Sequence, residues 1–177
     1  MTWRAGVVAL LLLVVGCGGS PAPGAPPQRG DLVSSTSSPP IAVTVVNAYI
    51  SALAGLGVDT SALTGRNTYE ISLHRIVYKT TTPDGRLIDA SGLVAYPLKP
   101  AGASSPILSY QHGTIFVDSD APSNVTNTNY DPVMVALAGS GFIVVLPDYI
   151  GYAASTNEIH TYIHAQGLAA SIVDMLR

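Results

Sequence analysis

The sequence predicts an α/β domain in which an antiparallel hairpin leads into parallel strands joined by crossover helices. Two stretches, the alternating Tyr69-Glu70-Ile71-Ser72-Leu73-His74 and the apolar Ala90 to Tyr96, flank a Thr82-Pro83-Asp84-Gly85 turn. From Ile107 the pattern runs short strand, helix, strand, helix, the order that builds a parallel sheet. The apolar runs at Ile107 to Tyr110 and Phe142 to Leu146 carry no charge. Such strands need burial on both faces, which a parallel sheet provides.

Taken in order, the chain opens as a targeting segment. Arg4 supplies a positive start, and Ala5 to Val15 is an unbroken run of apolar and glycine residues. A membrane-spanning helix needs about 20 such residues, so residues 1–16 read as a signal peptide. The run closes on Val14-Val15-Gly16-Cys17, which resembles a bacterial lipobox and makes Cys17 the lipidation candidate. A soluble secretory signal with an incidental cysteine is the alternative. Cys17 is the only cysteine, so no disulfide partner competes for it. Residues 17–40 hold six of the thirteen prolines and read as a disordered tether, too poor in apolar surface to offset its ordering entropy.

The folded domain is expected over residues 41–177. Val45, Val46, Tyr49, Ile50 and Leu53 recur at helical spacing, and Gly55 and Gly57 end the pattern. In the first hairpin strand the alternation breaks at Arg75, where a bulge is expected. Pro97 to Pro106 reads as loop, and Phe116 to Tyr130, rich in Asp, Asn, Ser and Thr, as an excursion. Pro132 to Ala138 is a short helix with Asp131 as N-cap and Pro132 at its first position. Ala165 to Arg177 is helical, with Leu168, Ile172, Val173 and Leu176 on one face.

Composition mostly excludes. Charged residues make up 11% of the chain and the net charge is −3. Without a basic patch and interleaved aromatics, nucleic acid is not an expected partner. No cofactor is implied. His160 and His164, four apart and near Glu158, could share a helical face as metal ligands. No His-Glu-x-x-His arrangement and no third strong ligand accompanies them, so contacts at a helix start are the expected role and no metal site is assigned. Asn124-Val125-Thr126 matches a glycosylation sequon, which a bacterial chain would leave silent.

Chemistry concentrates at two strand ends. Tyr110-Gln111-His112-Gly113-Thr114 follows the first apolar run, and Pro147-Asp148-Tyr149-Ile150-Gly151-Tyr152 ends the second. With the strand Gly141 to Leu146, these resemble the oxyanion loop, the following strand and the Asp-x-x-Gly-x-Gly loop of α/β hydrolases. Within that superfamily the chain looks most like bacterial and fungal secretory lipases and related esterases or peptidases. The resemblance covers Tyr69 to Arg177, with Ile107 to Tyr152 its specific part. It implies an oxyanion hole drawing on Gly113 and Thr114, with Gly113 giving a sharp turn, the Thr114 N–H as donor and His112 holding the loop. Asp148 is expected to cap its loop by satisfying backbone N–H groups, with Gly151 as the loop's turn. Ile115 and Phe116 could line an acyl pocket or simply pack.

The chain departs from the family pattern in two ways. Ala153 stands where a second glycine is usual, and a positive φ there would strain alanine by about 1 kcal/mol. Gly-x-Ser-x-Gly occurs nowhere; Gly139-Ser140-Gly141 lacks the spacing. The expected sheet therefore stops before the nucleophile elbow, with nucleophile, acid and catalytic histidine beyond Arg177, and the chain alone is expected to be inactive. Its partners would be a lipid or small ester substrate once completed, and an extracytoplasmic membrane through Cys17. A non-catalytic cell-envelope lipoprotein, binding or decayed, is the alternative. The strand ending at Tyr110 would form an unprotected edge, so residues 41–177 alone are expected to be poorly soluble or partly molten.

Overall fold

A computed structural model of the protein describes residues 24–63, 68–124 and 130–177. Among them one five-stranded sheet runs β1 (Leu32–Ile41), β2 (Ile71–Thr81), β3 (Leu87–Pro97), β5 (Ile143–Pro147), β4 (Ile107–Ser109). The first three contacts are antiparallel and the last, β4 with β5, is parallel. Helix α1 (Val43–Gly55) follows β1, α2 (Pro132–Gly139) crosses from β4 to β5, and α3 (Ala165–Met175) comes last. The expected α/β architecture is present, with its hairpin and its βαβα run.

Side-chain alternation divides the core into two layers. Ile71 and Leu73 of β2, Leu93 and Ala95 of β3, and Val144 and Leu146 of β5 point to one face. There they meet Val46 of α1 and Met134, Val135 and Ala138 of α2. Tyr78, Ala90 and Val145 point to the other face and meet Met175 of α3. Both faces of the sheet are thus covered, which is why its central strands tolerate such apolar sequence. Helix α2 is fixed at its start as the sequence predicts. The Asp131 carboxylate accepts from the N–H groups of Val133 (2.8 Å) and Met134 (3.0 Å), and Tyr110 donates to its other oxygen. Asp131→Ala is expected to lower stability by about 1–2 kcal/mol, read as a lower urea midpoint at unchanged m-value.

Three expectations need correction. The tether does not extend to residue 40, because Leu32–Ile41 forms β1, an edge strand paired along β2. Only Ile41 of this strand is buried, but an edge strand needs only a neighbour's backbone, and Ser and Thr suit an exposed ladder. Pro39 and Pro40 fall where the register shifts, between Ser38 and Ile41, so no ladder bond is lost to them. A domain cut at residue 41 would therefore expose β2 as well as β4. Arg75 carries no bulge against β3, for the β2–β3 register is unbroken from Ile71↔Pro97 to Thr81↔Leu87. The irregularities lie in β1.

The third correction concerns α3. Its covered face is Gly167, Ser171, Asp174 and Met175, while Val173 and Leu176 are exposed. Polar groups orient this helix. Tyr78 donates its hydroxyl to the Ser171 carbonyl (2.8 Å), and Thr80 donates to Asp174 (2.9 Å). Arg29 adds a 2.9 Å ion pair to the same buried carboxylate, tying the segment before β1 to the last helix. Gly92 leaves room for Met175, whose Cε would lie 2.6 Å from a Cβ there.

Candidate functional site

Because β4 and β5 run parallel, the loops that leave them emerge side by side at the carboxyl end of the sheet. Ligands of open α/β sheets bind at such ends. The loop after β4 carries His112, Gly113 and Thr114. The loop after β5 carries Asp148, Tyr149 and Gly151, so the structure gathers these predicted residues in one region. Cys17 lies outside the described residues.

Two contacts pin the loops together. Tyr152 donates its hydroxyl to the Ile115 carbonyl (2.8 Å), and the Ala153 N–H donates to Asp118 (2.5 Å). The His112 ring lies against Tyr149, with centroids 4.5 Å apart. Its Nδ1 is 2.7 Å from the Gly113 carbonyl oxygen. A carbonyl can only accept, so Nδ1 carries the proton. That bond holds the Gly113–Thr114 peptide by its oxygen. In a trans peptide the N–H points opposite to the C=O, so the Thr114 N–H is turned away from the imidazole. Neither Gly113 nor Thr114 donates its N–H to an acceptor among the described residues. Two consecutive, accessible donors on a loop braced at both ends can receive an anion or a developing oxyanion.

Asp148 does not cap its own loop as expected, since among the described residues no N–H of that loop donates to it; it faces the other way. It is fully buried and accepts from the Ser91 hydroxyl (2.6 Å), the Ser123 hydroxyl (2.5 Å) and the Ser123 N–H (2.7 Å). It joins β3 to the excursion after residue 116. Burial pushes its carboxyl above the ordinary range, and the bonds from Ser123 and Ser91 work against that shift. The sequence marks Asp148 through the turn it begins; its serine partners, 57 and 25 residues away, carry no local signal.

Gly151 has φ +100°, and a Cβ there would lie 2.6 Å from the His160 Cα. His160 sits close because its ring Nδ1 is 2.7 Å from the Ile150 carbonyl oxygen. His164 caps α3, accepting from the Gly167 N–H (3.0 Å). Neither histidine belongs to a cluster of three or more metal-ligating side chains among the described residues. Sequence reasoning missed Tyr149, Tyr152 and Tyr162, which close the site from the β5 side. Tyr149 has φ +66°, a conformation that bulky residues rarely adopt and that local propensity does not announce.

The architecture matches solved structures. A candidate hydrolase of Legionella pneumophila aligns at 35% identity over 82% of this chain, with a TM-score of 0.68. The chain has the α/β-hydrolase fold. The rice cell wall degrading esterase LipA of Xanthomonas oryzae aligns at 22% identity over 85% of the chain, TM-score 0.66. Lipase A of Candida antarctica aligns at 18% identity over 84%, TM-score 0.51. The last two likenesses concern the fold alone. The chain spans 37%, 36% and 31% of the length of these three structures. No protein-family model and no curated protein sequence matches it.

Ala153 departs from the hydrolase glycine at a cost the structure displays. Its φ is +47°, in the left-handed region that disfavours a Cβ by about 1–2 kcal/mol. Ala153→Gly relieves that strain but frees the unfolded chain, which offsets about 0.4–1 kcal/mol. The expected net effect is a gain of about 0.5 kcal/mol, seen as a slightly higher melting temperature.

Proposed function

We propose that this chain supplies the oxyanion-loop portion of a serine ester hydrolase acting on carboxylic esters, of lipase or carboxylesterase type. The Thr114 N–H serves as one donor to the developing oxyanion, with Gly113 giving the loop its sharp turn. The observation that carries the reading is the 2.7 Å bond from His112 Nδ1 to the Gly113 carbonyl, which fixes the orientation of that peptide. His112 is then a positioning residue and not the general base. The second donor and the nucleophile come from the part of the architecture that the longer structures possess, since no Gly-x-Ser-x-Gly lies within these 177 residues. A lipid anchor at Cys17, followed by a short tether, would hold the domain at the outer side of a bacterial membrane.

Hydrolysis of short p-nitrophenyl esters by the product of the complete reading frame tests this, together with labelling by a serine-reactive phosphonate. In that protein Thr114→Pro, which deletes one donor, is expected to lower kcat by about 10²–10³ with little change in KM. Absence of both hydrolysis and labelling would leave the alternative, a non-catalytic envelope lipoprotein.

A further inference from the structure

The stretch Gln111 to Phe116, which carries the Thr114 donor, makes no backbone-to-backbone hydrogen bond among the described residues. A cavity of about 290 Å³ opens between it and residues 149–163, walled by His112, Tyr149, Tyr152, His160, Tyr162 and Ile163. Neither a ladder nor close packing on that side holds the loop. A donor that stabilises a transition state must be in place beforehand, because one that has to reorganise gives up part of its effect. The position of this donor therefore depends on side chains.

Two side chains reach its carbonyl groups. His112 Nδ1 holds the Gly113 oxygen (2.7 Å), but that bond joins neighbouring residues and sets the peptide only relative to the imidazole. The Tyr152 hydroxyl donates to the Ile115 oxygen (2.8 Å) from 37 residues further along the chain, and so ties the loop to the β5 side. Between the two held peptides only the φ and ψ of Thr114 and Ile115 can turn. Tyr162 adds a longer contact, 3.3 Å from its hydroxyl to Thr114 Oγ1. Tyr152 is itself held: its ring packs on His160 with centroids 4.8 Å apart, and His160 Nδ1 is bonded to the Ile150 carbonyl. The Gly151 N–H donates to the hydroxyl of the buried Ser155 (3.0 Å). Among the described residues, the non-glycine positions with positive φ are Tyr149 (+66°), Ala153 (+47°) and Ile163 (+62°), all in this segment. Such conformations are unfavourable for residues with a Cβ, and they collect where a functional arrangement requires them.

We infer that Tyr152 is a positioning residue for ester hydrolysis, its hydroxyl bracing across the cavity the loop that presents the Thr114 N–H. The catalytic part of this inference rests on the function proposed above; the bracing stands on the geometry. Tyr152 acts through the Ile115 peptide and not on the reacting atoms. Removing its hydroxyl leaves the ring on His160 and releases the Ile115 carbonyl. An interaction that matters only once negative charge develops is lost from kcat and not from KM.

The test is Tyr152→Phe, with kinetics on the product of the complete reading frame and backbone ¹⁵N order parameters on the 177-residue chain. Active sites are counted by labelling with the serine-reactive phosphonate. The variant is expected to lower kcat per labelled site about tenfold, the equivalent of one hydrogen bond, with KM within about twofold. Order parameters of residues 113–116 should match the strands in the natural chain, at about 0.85, and fall towards about 0.6 in the variant while β3 and β5 keep theirs. A merely structural role would lower the labelled fraction and leave kcat per labelled site unchanged, and that result would overturn the inference. A rise in KM alone, or order parameters that do not respond to the substitution, would overturn it as well. Should the variant fail to fold, the natural chain decides, since a loop already mobile there is not braced. If the natural protein hydrolyses no ester, the hydrolase reading falls, and the order parameters alone settle whether Tyr152 braces the loop.

Discussion

Asp148→Ala is expected to destabilise the domain by about 3–5 kcal/mol, a large share of what a single domain possesses. The substitution orphans the buried hydroxyls of Ser91 and Ser123 and the Ser123 N–H at once. Urea unfolding followed by circular dichroism measures it; a loss below about 1 kcal/mol would show that the three donors find other partners. The isosteric Asp148→Asn isolates the charge. Burial raises the folded-state carboxyl above its unfolded value of about 3.9. The folded protein therefore binds this proton more readily than the unfolded chain. The contribution is complete below about pH 4 and is lost as pH rises through the folded-state value. The stability advantage of the natural protein over Asp148→Asn should thus narrow from pH 4 towards pH 7. Asp84 and Glu158, held low by Thr82 and Arg86, have the opposite pH dependence, but they are common to both proteins and cancel in the difference.

Gly151→Ala is expected to cost about 2–4 kcal/mol, combining an unfavourable φ with overpacking. The added carbon would meet the Cα and N of His160 at 2.6 and 2.7 Å, and backbone cannot swing aside as a side-chain end can. The turn and the His160–Ile150 bond would have to separate, loosening the β5 wall of the cavity. A melting temperature lowered by several degrees, with heightened hydrogen exchange confined to residues 149–163, is the expected signature. Unchanged exchange there would mean that the loop absorbs the carbon elsewhere.

The opposite signs expected at Gly151 and Ala153, two residues apart, mark what sequence can disclose. Gly151 is legible as a turn because glycine is the residue such a turn demands, and Asp131-Pro132 is legible because helix starts use local chemistry. The hairpin, helices α2 and α3 and the parallel strand pair follow from periodicity, which is also a local property of the chain. Strand β1 was hidden because its stability comes from a partner backbone some forty residues later, not from its own side chains. The face of α3 was hidden because Asp174 is satisfied by Thr80 and Arg29, both remote in sequence. At the site, His112, Gly113 and Thr114 stand out as a motif, whereas the three tyrosines are assembled by loop geometry alone.

The exposed edge has a physical consequence. Ile107 at the edge of the described sheet is 64% exposed, and β4 pairs only with β5. Apolar edges of this kind recruit another strand. In the proposed hydrolase that strand belongs to the same polypeptide as the nucleophile, so completing the sheet and completing the active site would be one event.

The measurement that bears most directly on the hydrolase reading is the nucleotide sequence following the Arg177 codon, read in all three frames. A Gly-x-Ser-x-Gly coding run within about one helix-plus-strand length is the expected result, for the oxyanion loop requires a nucleophile opposite it. A stop codon with no such run in any frame would contradict ester hydrolysis as the function of this gene product.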